Sequence, residues 1–184
     1  MFDLDRFIAD CRAALKEHSP QAATKEIVGR AVAQPGDVER ALGTPQEGKL
    51  VTLYRAPDLT IRNLIWAPGM SIYPHDHRMW AVIGLYGGRE DNIFYRRTAK
   101  GLVKTGGKQL ETTDAVILGD KVIHAVTNPS SQFTGAIHIY GGDFFAAPRS
   151  EFDPNTFEER PYDVEKVQRL FREANERLHA SRGT

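Results

Sequence analysis

Residues 49–77 read KLVTLYRAPDLTIRNLIWAPGMSIYPHDH, and this segment decides the fold class. Its first two runs, KLVTLYR and LTIRNLIW, are rich in β-branched and aromatic residues, and each is followed by Ala-Pro. Seven further runs of this kind follow, from MSIYPHDH to FTGAIHIYGG, and glycine- and proline-containing turn signals separate them. About nine predicted strands in about 95 residues, without a helical period among them, indicate an antiparallel sandwich or barrel.

Helices are predicted on both sides of this β-rich region. Apolar side chains recur at helical spacing in residues 2–17, about 20–33, 37–42 and 162–180. The segment 141–160 reads as a loop. The sequence therefore predicts one domain in three parts, namely a helical extension packed on the barrel (1–48), the barrel itself (49–146), and a loop with a C-terminal helix (147–184).

The composition excludes several classes of protein. Of the 184 residues, 41% are hydrophobic, and 24 Lys plus Arg balance 24 Asp plus Glu. A zero net charge argues against a nucleic-acid partner, because phosphate binding needs an excess of cations. No membrane partner is expected, since no apolar run approaches the roughly 20 residues that span a bilayer. The single cysteine, Cys11, excludes an intramolecular disulfide and a cysteine-based zinc site, and makes a reducing cytoplasm the default compartment.

Histidines carry the chemistry of the β-rich region. In His75-Asp76-His77, the alternation of an extended strand places both imidazoles on one face and Asp76 on the other. Two imidazoles on one face can bind one metal ion, and His124 on a later apolar strand is the best candidate for a third ligand. A lone buried His124 could equally be a hydrogen-bonded core residue. By ligand type alone, the ion could be iron, zinc, nickel, copper or manganese.

The stretches GMSIYPHDH (69–77) and GDKVIHAVTN (119–128) resemble the two sequence motifs of the cupin superfamily. This resemblance implies a mainly β fold, a cupin-like jelly-roll β-barrel of the double-stranded β-helix type. The glutamate that usually follows the second histidine of the first motif is missing, because Ala81 and Val82 occupy its positions. The metal site would therefore consist of three histidines.

Within that superfamily, the sequence is most similar to the thiol dioxygenase branch, of which cysteine dioxygenase is the best-known member. AIHIY (136–140) resembles the Ser-x-His-x-Tyr segment of that branch. Tyr54-Arg55 lies one strand before the two histidines, about where the branch has its carboxylate-binding arginine. The resemblance covers roughly residues 50–146. It departs at Ala136, which replaces the serine, and at Val82, near which some members have a cysteine that is cross-linked to the tyrosine.

The resemblance implies a non-haem iron enzyme that oxidises a small thiol, such as cysteine or 3-mercaptopropionate, to its sulfinate with O2. The three histidines would hold Fe(II), although zinc or nickel could occupy the site in isolated protein. Arg55 would pair with the substrate carboxylate, Tyr140 would hydrogen-bond the bound oxygen or the carboxylate, and His138 would orient Tyr140. The expected partners are the small thiol and O2, and the chain is expected to be a monomer or a homodimer.

The sequence leaves several alternatives open. Arg62 competes with Arg55 for the carboxylate if its side chain faces inward, and Glu90 is expected to be a turn residue rather than a ligand. His138 and Tyr140 share a strand face and could both be structural. The chain could also be a cupin metalloenzyme of other chemistry, such as another dioxygenase or an isomerase, or a non-catalytic module that binds a metal or a small molecule. A binding module would need neither the arginine nor the tyrosine.

Overall fold

The computed structural model describes residues 1–99 and 101–182, which contain four helices and eleven strands. The helices are α1 (Leu4–Ala14), α2 (Pro20–Val32), α3 (Pro35–Leu42) and α4 (Val164–Arg182). The strands are β1 (Lys49–Arg55), β2 (Thr60–Trp66), β3 (Ser71–Asp76), β4 (Ala81–Gly87), β5 (Arg89–Thr98), β6 (Gly101–Glu111), β7 (Ala115–Leu118), β8 (Ile123–Thr127), β9 (Thr134–Tyr140), β10 (Ser150–Phe152) and β11 (Glu159–Pro161). All nine runs predicted as strands are confirmed as β1–β9, and the predicted helices are confirmed with shifted ends.

Local sequence explains where the first three helices begin and end. The carboxylate of Asp3 accepts a hydrogen bond from the backbone N–H of Arg6 (2.8 Å) and so caps α1. Pro20 and Pro35 stand in the first turns of α2 and α3, where the missing N–H has no partner to lose. Helix α3 ends at Gly43, whose φ of +90° is a conformation that other residues rarely adopt.

The strands form two antiparallel sheets. Sheet A has the order β1-β2-β9-β4-β7, and sheet B has the order β11-β10-β3-β8-β5-β6. Most neighbouring strands, such as β2 and β9 or β3 and β8, are distant in sequence, so the chain passes repeatedly from one sheet to the other. This is the topology of a jelly roll, and it confirms the predicted class, a mainly β cupin-like barrel with helices at both ends of the chain.

The prediction of a loop over 141–160 is wrong in part. Strands β10 and β11 form a hairpin there, and β10 joins sheet B by pairing Glu151 with His75 of β3. A strand of three residues is too short to show alternation, and β10 buries a serine and a glutamate that a sequence pattern marks as exposed. Pairing with a strand that is distant in sequence therefore decides the structure of this segment.

Helices α1–α3 cover the outer face of sheet A. Val28 of α2 is fully buried in one apolar cluster with Ile137 and Ile139 of β9. Helix α2 approaches β4 so closely that a Cβ at Gly84 would lie 2.2 Å from Val28 Cγ1. Because the two isoleucines face the helices, the alternate positions of β9, His138 among them, face the barrel interior.

Helix α4 closes one side of the barrel. Its apolar stripe, which includes Val167 and Phe171, packs in one cluster with Trp66 at the end of β2. The amide of Asn175 accepts a hydrogen bond from Gly48 N (2.7 Å) and donates one to Gly48 O (2.9 Å), which ties α4 to the start of β1. Among the described residues, no helix combines the length and the apolarity that crossing a bilayer requires.

Candidate metal centre

The three predicted metal ligands meet inside the barrel. His75 lies in β3, His77 follows that strand directly, and His124 lies in β8 as the cross-strand partner of His75. Their ligating atoms all lie within 4.8 Å of one another, and Nε2 of His77 is 3.2 Å from Nε2 of His124. Two nitrogens that are each bound about 2.1 Å from one ion lie roughly 3.0–3.4 Å apart, so this spacing fits a shared metal ion.

Burial keeps these imidazoles neutral, and hydrogen bonds at Nδ1 orient two of the three rings. Nδ1 of His75 is 3.0 Å from the carbonyl oxygen of Tyr73, and Nδ1 of His124 is 2.7 Å from Oδ1 of Asn92. Burial lowers the pKa of His75 to about 4 and holds the pKa values of His77 and His124 well below the ordinary 6.5. At neutral pH each ring therefore has a lone pair for a metal, and the set fits a divalent transition-metal ion.

Asp76 points away from the three histidines, as the alternation of the strand predicts. Its carboxylate is buried and accepts from Nη2 of Arg97 (2.6 Å), and Nε of Arg78 lies 2.8 Å away. The backbone N–H of Ser150 also donates to Oδ1 of Asp76 (2.8 Å). The carboxylate therefore ties β3 to β5 and β10 and is not available as a metal ligand.

His138 and Tyr140 lie at the same cavity as the metal ligands. Nδ1 of His138 is 3.1 Å from the hydroxyl oxygen of Tyr140, and the Tyr140 ring packs edge-on against His77 with ring centres 5.0 Å apart. Burial raises the pKa of Tyr140, so the phenol keeps its proton at neutral pH. The two side chains therefore lie within hydrogen-bond distance of each other beside the three histidines.

The expectation that Glu90 is a turn residue is wrong. Glu90 lies in β5 with its side chain fully buried. Its Oε2 accepts from Nε1 of Trp66 (2.9 Å) and its Oε1 accepts from Nδ2 of Asn92 (2.9 Å). Oε2 also lies 3.8 Å from Nε2 of His138. The sequence analysis predicts a later start for this strand, whereas β5 begins at Arg89, directly after a Gly-Gly pair. The alternation of β5 then turns Glu90 and Asn92 inward.

Of the two candidate arginines, the structure places Arg62 beside the histidines and Arg55 outside. Arg55 is half exposed and is paired with Asp143, to which its Nε (3.0 Å) and Nη2 (2.9 Å) both donate. Arg62 is buried and lines the cavity that the three histidines also line. Its cross-strand partner in β9 is His138, and residues directly opposite each other in a sheet point to the same face.

A third arginine, Arg149, has no signal in the sequence pattern, because it lies in the segment that reads as a loop. It is buried just before β10, and its guanidinium carbon lies 3.7 Å from the ring centre of Phe144 and 3.9 Å from that of Tyr162. Within residues 1–99 and 101–182, neither Arg62 nor Arg149 has an acidic ion-pair partner. In the same part of the chain, Arg62 Nε and Arg149 Nε and Nη1 have no hydrogen-bond partner.

The three histidines open onto a cavity of about 30 Å³, which adjoins a cleft of about 430 Å³. Arg62, Phe144 and Tyr162 line both spaces, and Arg149 lines the cleft. The inner cavity holds no more than a few atoms of a ligand, since one water molecule needs roughly 10–15 Å³. A ligand that reaches the histidines therefore passes along a wall of aromatic rings and guanidinium groups.

No protein-family model matches this sequence. Among solved structures, the chain is similar to an RmlC-like cupin family protein with a double-stranded β-helix fold from Methanocaldococcus jannaschii, at 9% identity over 55% of this chain and 86% of the other, with a TM-score of 0.47. It is also similar to a cupin superfamily protein from Desulfitobacterium hafniense, at 15% identity over 56% of this chain and 86% of the other, with a TM-score of 0.44. An uncharacterised protein with a double-stranded β-helix domain from Klebsiella pneumoniae matches at 14% identity over 61% of this chain and 86% of the other, with a TM-score of 0.47.

At these identities and TM-scores the likenesses assign no activity, and the fold class follows from the strand order of the chain itself. The fold and the site together define a cupin-like β-barrel in which a buried group of three histidines could hold a metal ion.

Proposed function

We propose that this protein is a non-haem iron-dependent thiol dioxygenase, which oxidises a small thiol that carries a carboxylate, such as cysteine or 3-mercaptopropionate, to its sulfinate with O2. The observation that carries the proposal is one cavity that combines three neutral histidines, a protonated tyrosine and a buried arginine without an acidic partner among the described residues. A module that only binds a metal needs neither the tyrosine nor the arginine.

The histidines account for the choice of a thiol. His75, His77 and His124 would hold Fe(II), which supplies the binding and activation of dioxygen when it is bound. Three neutral ligands leave the full charge of a divalent ion uncompensated, so such a site favours an anionic thiolate as a further ligand. Three protein ligands also leave coordination positions for small molecules.

Arg62 and Arg149 account for the carboxylate. Burial lowers the pKa of Arg62, and the nearby charge of Arg149 adds to this effect. Within the part of the chain that the structure describes, these two buried cations have no acidic partner, and such a pair is costly unless a ligand supplies the opposite charge. A substrate carboxylate can accept from guanidinium N–H groups in a bidentate manner, which a lysine cannot reproduce. We therefore assign the carboxylate to Arg62 and Arg149 rather than to Arg55, which Asp143 already neutralises.

The remaining walls of the cavity exclude water and hold the substrate. Phe144 stacks on Tyr140 with ring centres 4.1 Å apart, and Trp66 and Phe171 complete an apolar lining. In such a dry site the hydrogen bonds and charges of the arginines and of Tyr140 are stronger than in water. Tyr140, held by His138, offers a polar contact to a substrate bound beside His77.

The test uses protein that is purified anaerobically and loaded with ferrous iron. Dioxygen uptake is followed with cysteine, 3-mercaptopropionate and cysteamine, and sulfinate is identified by mass spectrometry. Uptake is expected with the two carboxylate thiols and should be weaker with cysteamine, which has no carboxylate. Absence of thiol-dependent uptake with all three compounds would refute the dioxygenase, while the fold and the metal site would stand.

Variants separate the metal from the substrate. His77→Ala should abolish retention of iron, and stoichiometric iron in that variant would refute the ligand set. Arg149→Gln and Arg62→Gln should each raise KM for 3-mercaptopropionate about 10–100-fold, since a lost hydrogen bond to a charged group costs about 1.5–3 kcal/mol. A larger increase in KM for Arg55→Gln than for either of these would return the carboxylate to Arg55.

A further inference from the structure

Glu90 has a buried carboxylate that lies near His138 and is linked to the metal ligand His124 through Asn92. The proposed function gives Glu90 no role. Its side chain has no exposed surface. Within the described residues its hydrogen-bond partners are Trp66 and Asn92, and Nε2 of His138 lies 3.8 Å away. Glu90 extends from sheet B, whereas Trp66 and His138 belong to sheet A, so the carboxylate spans the barrel interior.

We infer that Glu90 is a positioning residue that sets the tautomers of two histidines, the metal ligand His124 through Asn92 and the cavity histidine His138 directly. This inference rests on the proposed metal site, but it does not depend on the dioxygenase activity.

Asn92 links Glu90 to His124. Nδ2 of Asn92 donates to Oε1 of Glu90 (2.9 Å), so the NH2 end of the Asn92 amide, and not its oxygen, faces the carboxylate. The amide oxygen must then point the other way, where it lies 2.7 Å from Nδ1 of His124. That contact requires a proton on Nδ1. The neutral ring therefore has its lone pair on Nε2, the atom that faces His77 and the metal position.

His138 faces Glu90 from the opposite sheet. Its Nε2 is buried, and within the described part of the chain it has no hydrogen-bond partner. Ala136, which precedes it on the same face of β9, offers no polar side-chain atom. Oε2 of Glu90, at 3.8 Å, is an acceptor within reach of a small side-chain movement. A proton on Nε2 is favoured there, which leaves Nδ1 to accept from the hydroxyl of Tyr140 (3.1 Å).

Trp66 holds the carboxylate in place. The indole Nε1 can only donate, and its bond to Oε2 of Glu90 (2.9 Å) occupies one lone pair of that oxygen and leaves another for His138. The carboxylate that accepts from Trp66 and Asn92 is thus also positioned 3.8 Å from Nε2 of His138.

The main test is Glu90→Gln, which preserves the shape of the side chain but replaces one acceptor with a donor. Either Asn92 or Trp66 then faces an N–H group, and Asn92 can relieve this contact by rotating its amide, which reverses the tautomer of His124. We expect the affinity for Co²⁺, measured by calorimetry on apo protein, to fall about 10–100-fold, as for other partners of metal-bound histidines. The control is Glu111→Gln, the same substitution at an exposed position of β6, which should bind Co²⁺ as the wild type does.

A double mutant shows whether Glu90 acts through Asn92. Asn92→Ala alone should weaken Co²⁺ binding, and adding Glu90→Gln should weaken it little further, because the connection is already broken. Additive losses in the double variant would overturn the route through Asn92.

Nitrogen NMR of the imidazole rings reads the tautomers directly and needs neither metal nor activity. Wild-type apo protein should carry the proton on Nδ1 of His124 and on Nε2 of His138, and Glu90→Gln should change both patterns. The opposite tautomers in the wild type would overturn the inference, even if Glu90→Gln failed to fold. So would a folded Glu90→Gln variant with wild-type tautomers and wild-type Co²⁺ affinity. A failure of thiol oxidation would leave these measurements unaffected and would count only against the proposed function.

Discussion

Replacing Gly84 with alanine tests how closely α2 packs on sheet A. An added Cβ would lie 2.2 Å from Val28 Cγ1 and 3.1 Å from Val32 Cγ1. Carbon atoms pack at about 3.5–4.0 Å, so the first contact is too short by more than 1 Å. Val28 cannot rotate away cheaply, because valine in a helix has one strongly preferred rotamer.

The expected cost follows from this geometry. Overpacking a close-packed core typically costs about 1–3 kcal/mol, and the short contact with Val28 places Gly84→Ala near the upper end of that range. For a chain of this size each kcal/mol shifts the melting temperature by about 2–4 °C, so a decrease of roughly 4–10 °C is expected. Gly29→Ala is the control, because a Cβ there meets no atom within 4 Å, and alanine at that helix position should stabilise by about 0.5–1 kcal/mol.

The assay is urea denaturation followed by circular dichroism, applied to a double-mutant cycle with Val28→Ala. Val28→Ala alone removes two buried methyl groups and should cost roughly 1.6 kcal/mol or more. In the Val28→Ala background the clash with Cγ1 disappears, so Gly84→Ala should then cost less than about 1 kcal/mol. The two substitutions should therefore couple by about 2 kcal/mol.

Two results would refute this reasoning. Unchanged stability in Gly84→Ala would mean that α2 does not lie against β4 at this distance. Additive effects of the two substitutions would mean that the side chain of Val28 does not clash with the new methyl group.

Three further predictions concern the links that hold the site in place. Asp76→Asn should destabilise the fold by about 1–3 kcal/mol in urea, because the guanidinium groups of Arg78 and Arg97 lose a buried carboxylate. Wild-type stability would contradict the tie between β3 and β5. The hydrogen bond from Arg97 lowers the pKa of Glu159 to about 2, so its contribution is present above the ordinary value of 4.5 and is lost as the pH falls towards 2. The stability difference between wild type and Glu159→Gln should therefore shrink over that window, and a constant difference would contradict the pairing. Asn175→Ala should cost about 1–3 kcal/mol and speed proteolysis of α4, because both backbone groups of Gly48 lose their partner.

The sequence predicted the strands of the barrel well because each has enough residues to show a pattern. β1–β9 alternate or run apolar between glycine and proline turns, and the helices carry caps and first-turn prolines. The same alternation placed His75 and His77 on one face and Asp76 on the other. β10 and β11 have three residues each, and their pairing with a distant strand leaves no local pattern.

The residues near the candidate site also fall into two groups, those that local sequence predicts and those that only the fold brings together. Histidines spaced by one residue on a strand are recognisable from sequence. Which of Arg55 and Arg62 lies beside the histidines depends instead on which side chain turns inward and which forms an ion pair with an acidic residue. Asp143 follows Arg55 by 88 positions, so no local pattern predicts their pairing. Arg149 lines the adjoining cleft just before β10, the strand that pairs with β3.

The sequence by itself determined the fold class, the helices and strands β1–β9, and the placement of His75 and His77 on one strand face, because these depend on periodicity and on the spacing of neighbours along the chain. Only the tertiary structure decided that Glu90 is buried near His138 and that Arg62 and Arg149 line the cleft beside the histidines. Burial and hydrogen bonding are set by residues that are distant in sequence. The same carboxylate or guanidinium group can therefore be a solvated turn residue or part of the site, and only the packing of the two sheets distinguishes them.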